Sequence, residues 1–62
     1  MKFKCIKGIA DNINVVCLKG DEVEFVFASE NEINIIGLSG WCAGCEINFT
    51  AKEFADSFSS VE

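Results

Sequence analysis

Few residues in this chain have chemistry to offer. Trp41-Cys42-Ala43-Gly44-Cys45 sets a C-x-x-C pair beside the single tryptophan, and Cys5 and Cys17 are the other two thiols among 62 residues. A Trp-flanked C-x-x-C serves thiol–disulfide exchange when its first Cys opens a helix, whose dipole stabilises the thiolate. Here Glu46-Ile47-Asn48-Phe49 alternates like a strand instead, a βαβ context is missing, and Glu46 opposes thiolate formation. Zinc is the second chemistry, since four thiolates satisfy a tetrahedral ion and small domains often need such a staple. Cys42 and Cys45 have knuckle spacing, whereas Cys5 and Cys17 are separated by eleven residues and join only if their strands meet beneath the Trp41 loop. The third reading needs no chemistry: free cysteines are small buried hydrophobes. Cys5 shares parity with Phe3, Cys17 with Val15, and Cys45 with Ile47 and Phe49, which leaves Cys42 the hardest to explain.

Other reactions are poorly served. The chain has no His, Tyr or Arg, so acid–base or phosphoryl-transfer chemistry has only Lys and carboxylates to use. The five glycines are spread too widely to cradle a phosphate. The expectation is a protein that is not an enzyme and carries no cofactor or assigned metal.

Charge is unevenly placed along the chain. Residues 1–20 hold four Lys and one Asp, whereas residues 21–62 hold one Lys and nine acids, for a net charge of −5. Acidic charge repels phosphate backbones, which disfavours direct nucleic-acid binding and favours a protein partner with a basic surface. The same charge also serves plain solubility. No apolar run approaches the ~20 residues that span a bilayer, and Met1-Lys2-Phe3-Lys4-Cys5 lacks the apolar stretch of a signal peptide. The expected setting is a cytoplasm, away from membranes.

The elements that position these residues read mostly as strands. Half of the residues are hydrophobic, six of them Phe, which is enough for one small core in a single domain spanning 1–62. Phe3, Cys5 and Ile6 alternate with Lys2, Lys4 and Lys7; Asp11-Asn12 marks a loop; and Val15 to Leu18 is a short β-branched run. Lys19-Gly20-Asp21 is a turn. After it, Val23, Phe25 and Phe27 share one face and are the expected core; Ser29 to Glu32 turns the chain, and Ile33 to Leu38 forms a further strand. Thr50-Ala51-Lys52-Glu53 matches a capping box, Phe49 and Phe54 fit a hydrophobic staple, and Phe54 and Phe58 share a helical face. A helical turn over 51–58 follows, too short to stand without packing on the sheet.

The expected architecture is therefore mainly β: a small five-stranded antiparallel barrel, closed to hide its edges, with a short C-terminal helix. The stretches "FKCIKG", "CLKGDEVEFVF" and "INFTAKEFADSF" resemble the small SH3-like barrel proteins of bacteriophage and prophage genomes. That resemblance implies a small accessory protein acting through its surface on a host protein, as inhibitors of bacterial defence or nucleic-acid-binding complexes do, in a bacterial host's cytoplasm. "GWCAGC" is not part of the pattern. Trp41 is either a core residue or an aromatic anchor for a partner, framed in the second case by Asp21, Glu22, Glu24, Glu30 and Glu32. A strand edge offers a further route, to a homodimer.

Overall fold

The computed structural model describes residues 1–10 and 15–61. The loop expected at Asp11-Asn12 lies outside them. Seven strands form among the described residues: β1 (Lys2–Cys5), β2 (Ile9–Ala10), β3 (Val15–Cys17), β4 (Glu22–Ala28), β5 (Glu32–Gly37), β6 (Glu46–Thr50) and β7 (Phe58–Ser60). A 3-10 turn (Gly40–Cys42) precedes β6, and α1 (Ala51–Ser57) separates β6 from β7. Five strands make one sheet in the order β6-β5-β4-β1-β7, with every neighbour antiparallel, and β2 and β3 pair apart from it. The mainly β architecture, the five-stranded antiparallel sheet and the short late helix are as expected. The membership of the sheet is not. The Val15 run belongs to the small β2–β3 ribbon, and the fifth place is taken by β7, which pairs Phe3 with Ser60 and Cys5 with Phe58.

Cross-strand register explains the core. Residues directly opposite in antiparallel strands share a face, so Phe3 with Val23, Phe25 with Ile35 and Ile47, and Ile33 with Phe49 line the inner side. The buried members are Cys5, Cys17, Val23, Ile35, Cys42, Phe49 and Phe58, with Phe3, Ile33, Ile47 and Phe54 packed against them. Phe27, expected in the core, is 55% exposed. Phe25 faces Ile35 and Phe27 faces Asn34, so Val26 is an extra residue; this bulge turns the alternation over and sends Phe27 outward. Val15 and Ile6 are likewise exposed, Val15 at the start of β3 and Ile6 just past the end of β1.

Helix α1 begins as the sequence predicts. The Thr50 hydroxyl accepts the Glu53 amide at 3.1 Å, and the Glu53 carboxylate accepts the Thr50 amide at 3.2 Å. It ends one residue early, because Phe58 leaves the helix in extended conformation and opens β7. Helical spacing still brings the rings together: Phe54 and Phe58 stack at 5.0 Å, Phe58 meets Phe49 at 5.3 Å, and Phe54 meets Phe3 edge-on at 4.9 Å. Among the described residues no helix is long and apolar enough to cross a membrane.

Candidate functional site

The chemistry-bearing residues gather at the other end of the core, under the loop that joins β5 to β6. Gly20, with φ of +98°, allows the Leu18–Asp21 turn that the Asp21 amide closes on the Leu18 carbonyl at 3.0 Å. The turn aims the Asp21 side chain inward, where Oδ2 accepts the Leu18 amide at 3.0 Å and the Cys42 amide at 3.3 Å. Asp21 is only 5% exposed. It is therefore no part of the interaction surface on which the sequence placed it, and instead braces the 3-10 turn from beneath.

That turn is pressed against its surroundings. A Cβ on Gly37 would stand 1.8 Å from the Cys42 carbonyl oxygen, and one on Gly40, at φ of +80°, would stand 2.0 Å from Asp21 Oδ1. The loop closes on Gly37 through two further bonds, Gly37 N–H to the Cys45 carbonyl at 2.8 Å and Gly44 N–H to the Gly37 carbonyl at 2.9 Å. The result buries Cys42 and exposes Cys45, which parity with Ile47 and Phe49 places on a core face. The alternation of β6 does not extend back to Cys45, because Gly44 takes φ of +82° and reorients the chain.

Cys17, Asp21 and Cys42 come together as a buried cluster, their donor atoms all within 4.8 Å of one another. Cys5 belongs to the same core and donates its thiol to the Lys7 carbonyl at 3.1 Å. The four-cysteine set is thus replaced by three buried thiols and a carboxylate, with Cys45 at the surface. Burial pushes the Cys17 thiol up to about 12, helped by its hydrogen bond to Cys42 and the nearby Cys42, Cys5 and Asp21 charges. Burial also raises Cys5 and Cys42, the latter aided by the Asp21 charge. Asp21 moves the other way: burial favours its neutral form, but the Leu18, Trp41 and Cys42 amides and the Cys42 thiol together hold it below the ordinary carboxylate value. Burial disfavours the Cys42 thiolate, and the residues after Cys45 form β6 rather than the helix that favours thiol exchange.

Above the cluster, Trp41 is 62% exposed. Its indole N–H donates to the Val15 carbonyl at 2.8 Å, which fixes the ring across the end of β3. Val15, Leu18 and Leu38 are exposed as well, and Leu38 is tied to β4 through the Glu22 carbonyl at 2.8 Å.

The acids expected to frame Trp41 are dispersed. Glu22 and Glu24 are half-buried and lie across from Lys4 and Lys2, and Glu24 also pairs with the N-terminal ammonium. Glu30 and Glu32 sit at the β4–β5 turn, at the opposite end of β5 from the Trp41 loop. Five residues of strand rise put roughly 17 Å between the two ends. The residue that sequence reasoning missed is Asp21 in its bracing role; the signal was an Asp closing a Gly turn, a position where carboxylates bond to nearby backbone amides. No protein-family model, curated protein or solved structure matches this chain.

Proposed function

We propose that this chain is a non-enzymatic interaction module, an SH3-like barrel of phage or prophage type that binds a host protein through Trp41 and the apolar residues around it. The observation that carries the reading is the state of the tryptophan: largely exposed, yet fixed by its own hydrogen bond and held from below by the Asp21 brace. A rigid exposed aromatic loses little freedom on binding, which makes it an effective anchor. The negative net charge favours a partner with a basic surface and slows encounters with nucleic acid.

Two features support the barrel. The edge strands β6 and β7 are joined by the seven residues of α1, which span about 10 Å, whereas a flat five-stranded sheet separates its edges by about 19 Å. The Phe49 and Phe58 rings, one on each edge strand, meet at 5.3 Å. Both are what a sheet curling toward closure requires.

The test is affinity capture from bacterial lysate with wild-type protein and Trp41→Ala. The reading expects a defined partner on the wild type, retained roughly 30-fold less well by Trp41→Ala, in keeping with a hot spot of about 2 kcal/mol, and released by added salt. Equal retention by both proteins, or none by the wild type, would contradict it.

A further inference from the structure

We propose that the corner beneath Trp41 is a structural metal site, in which Cys17, Asp21 and Cys42 bind one thiophilic divalent ion of the zinc class. The three residues come from separate elements, the end of β3, the turn before β4 and the end of the 3-10 turn, and all three are buried. Their donor atoms lie within 4.8 Å of one another. Metal–ligand bonds of about 2.3 Å to sulfur and 2.0–2.2 Å to oxygen place tetrahedral ligands roughly 3.5–3.8 Å apart. Closing the set around an ion therefore needs side-chain adjustments of about 1 Å and no rearrangement of the fold.

The surroundings suit a cation. Asp21 is a buried carboxylate, and the Met1–Glu24 and Lys52–Asp56 ion pairs lie elsewhere. Among the described residues its charge is met by amides and a thiol, leaving a negative corner that a divalent ion complements. The Leu18 and Cys42 amides that donate to Oδ2 already hold the carboxylate in place, the service that outer hydrogen bonds perform for metal-bound groups. Two sulfur donors select zinc-like ions over magnesium or calcium. On binding, the Cys17 and Cys42 thiols each release a proton to solvent. Three protein donors leave the fourth position of a tetrahedral ion to a water or other small ligand, and the burial of all three donors suits an ion that staples a 62-residue domain.

This ligand set excludes Cys45, and that exclusion makes it testable. The full chain, purified under reducing conditions and stripped with chelator, is titrated with zinc under native mass spectrometry and with cobalt(II) in the absorption spectrometer. The expected results are one ion per chain, a thiolate-to-cobalt charge-transfer band, and a melting temperature raised by zinc. Cys45→Ser keeps all three. Cys17→Ser and Cys42→Ser weaken binding by more than the roughly 10–100-fold that loss of a supporting hydrogen bond costs. If those variants fail to fold, the wild type and Cys45→Ser still decide the matter. Absence of the charge-transfer band in the wild type, its loss in Cys45→Ser, or a Cys17–Cys42 disulfide in place of a bound ion each overturns the proposal.

Discussion

The two ends of the small core are built on different principles. At the α1 end, Phe3, Phe49, Phe54 and Phe58 pack ring on ring, and cohesion comes from apolar area, to which each aromatic contributes in proportion to its burial. At the Trp41 end the buried side chains are small, three thiols and a carboxylate, and cohesion comes from amide hydrogen bonds and from backbones that touch at Gly37. Cys5 and Phe58 face each other across β1 and β7 and join the two ends. Rings tolerate adjustment because dispersion and area are non-directional. A corner of satisfied polar groups does not, since removing one partner leaves the others buried and unpaired. That rigidity suits the end that carries the exposed tryptophan.

The largest effect that would separate the ends is Gly37→Ala. Its Cβ meets the Cys42 carbonyl oxygen at 1.8 Å, a backbone atom with nowhere to move, so a single methyl group abolishes cooperative folding in denaturant titration. Next is Phe58→Ala at the aromatic end, with an expected loss of about 3–5 kcal/mol and a transition that remains cooperative. A Gly37→Ala protein as stable as the wild type would show that the Trp41 corner is as pliable as the ring cluster.

Asp21→Ala comes third. Orphaning the Leu18 and Cys42 amides costs about 1–3 kcal/mol in urea unfolding. The pH profile of chelator-treated protein carries the same signature on both flanks. Asp21 has its folded pKa below its ordinary value of 3.8, so the unfolded chain binds more protons in that window. Its contribution is complete above about pH 4 and is lost as the pH falls further. Cys17 has its folded pKa raised from 9.0 to about 12, so the unfolded chain loses its proton first and stability declines as the pH rises through that interval. Asp21→Ala flattens the acid flank and Cys17→Ala the alkaline one, both read from melting temperature; unchanged flanks would mean that the corner is not buried as described.

The smallest effect is expected at Phe27→Ser. Simple alternation puts Phe27 in the core and forecasts several kcal/mol, but the Val26 bulge exposes it, so the change stays within about 0.5 kcal/mol.

These contrasts also mark what the sequence could tell. The capping box, the Gly20 turn, the strand-like run after Cys45 and the mainly β class were legible because each rests on local chemistry: a hydroxyl three residues from a Glu, a Gly at positive φ, a period of two. Phe27 and Cys45 were misplaced because one extra residue or one positive-φ glycine inverts parity, and neither event has a signature in hydropathy. β7 was hidden because Phe58 satisfies the helical spacing from Phe54 and the strand pairing opposite Cys5 at once. The Asp21 brace was hidden for a different reason. An acid in a Gly turn usually faces solvent, and only the return of a loop some twenty residues later supplies the amide that draws it inward.

The proposed anchor role of Trp41 requires an indole that is exposed but immobile. The chain has one Trp and no Tyr, so its fluorescence reports on this residue alone. Time-resolved anisotropy with acrylamide quenching on the wild-type protein is the most direct test. The expected result is a ring open to the quencher whose anisotropy decays only with tumbling of the whole domain, and a fast local component that appears in Asp21→Ala. An indole shielded from quencher, or one already spinning freely in the wild type, would contradict it.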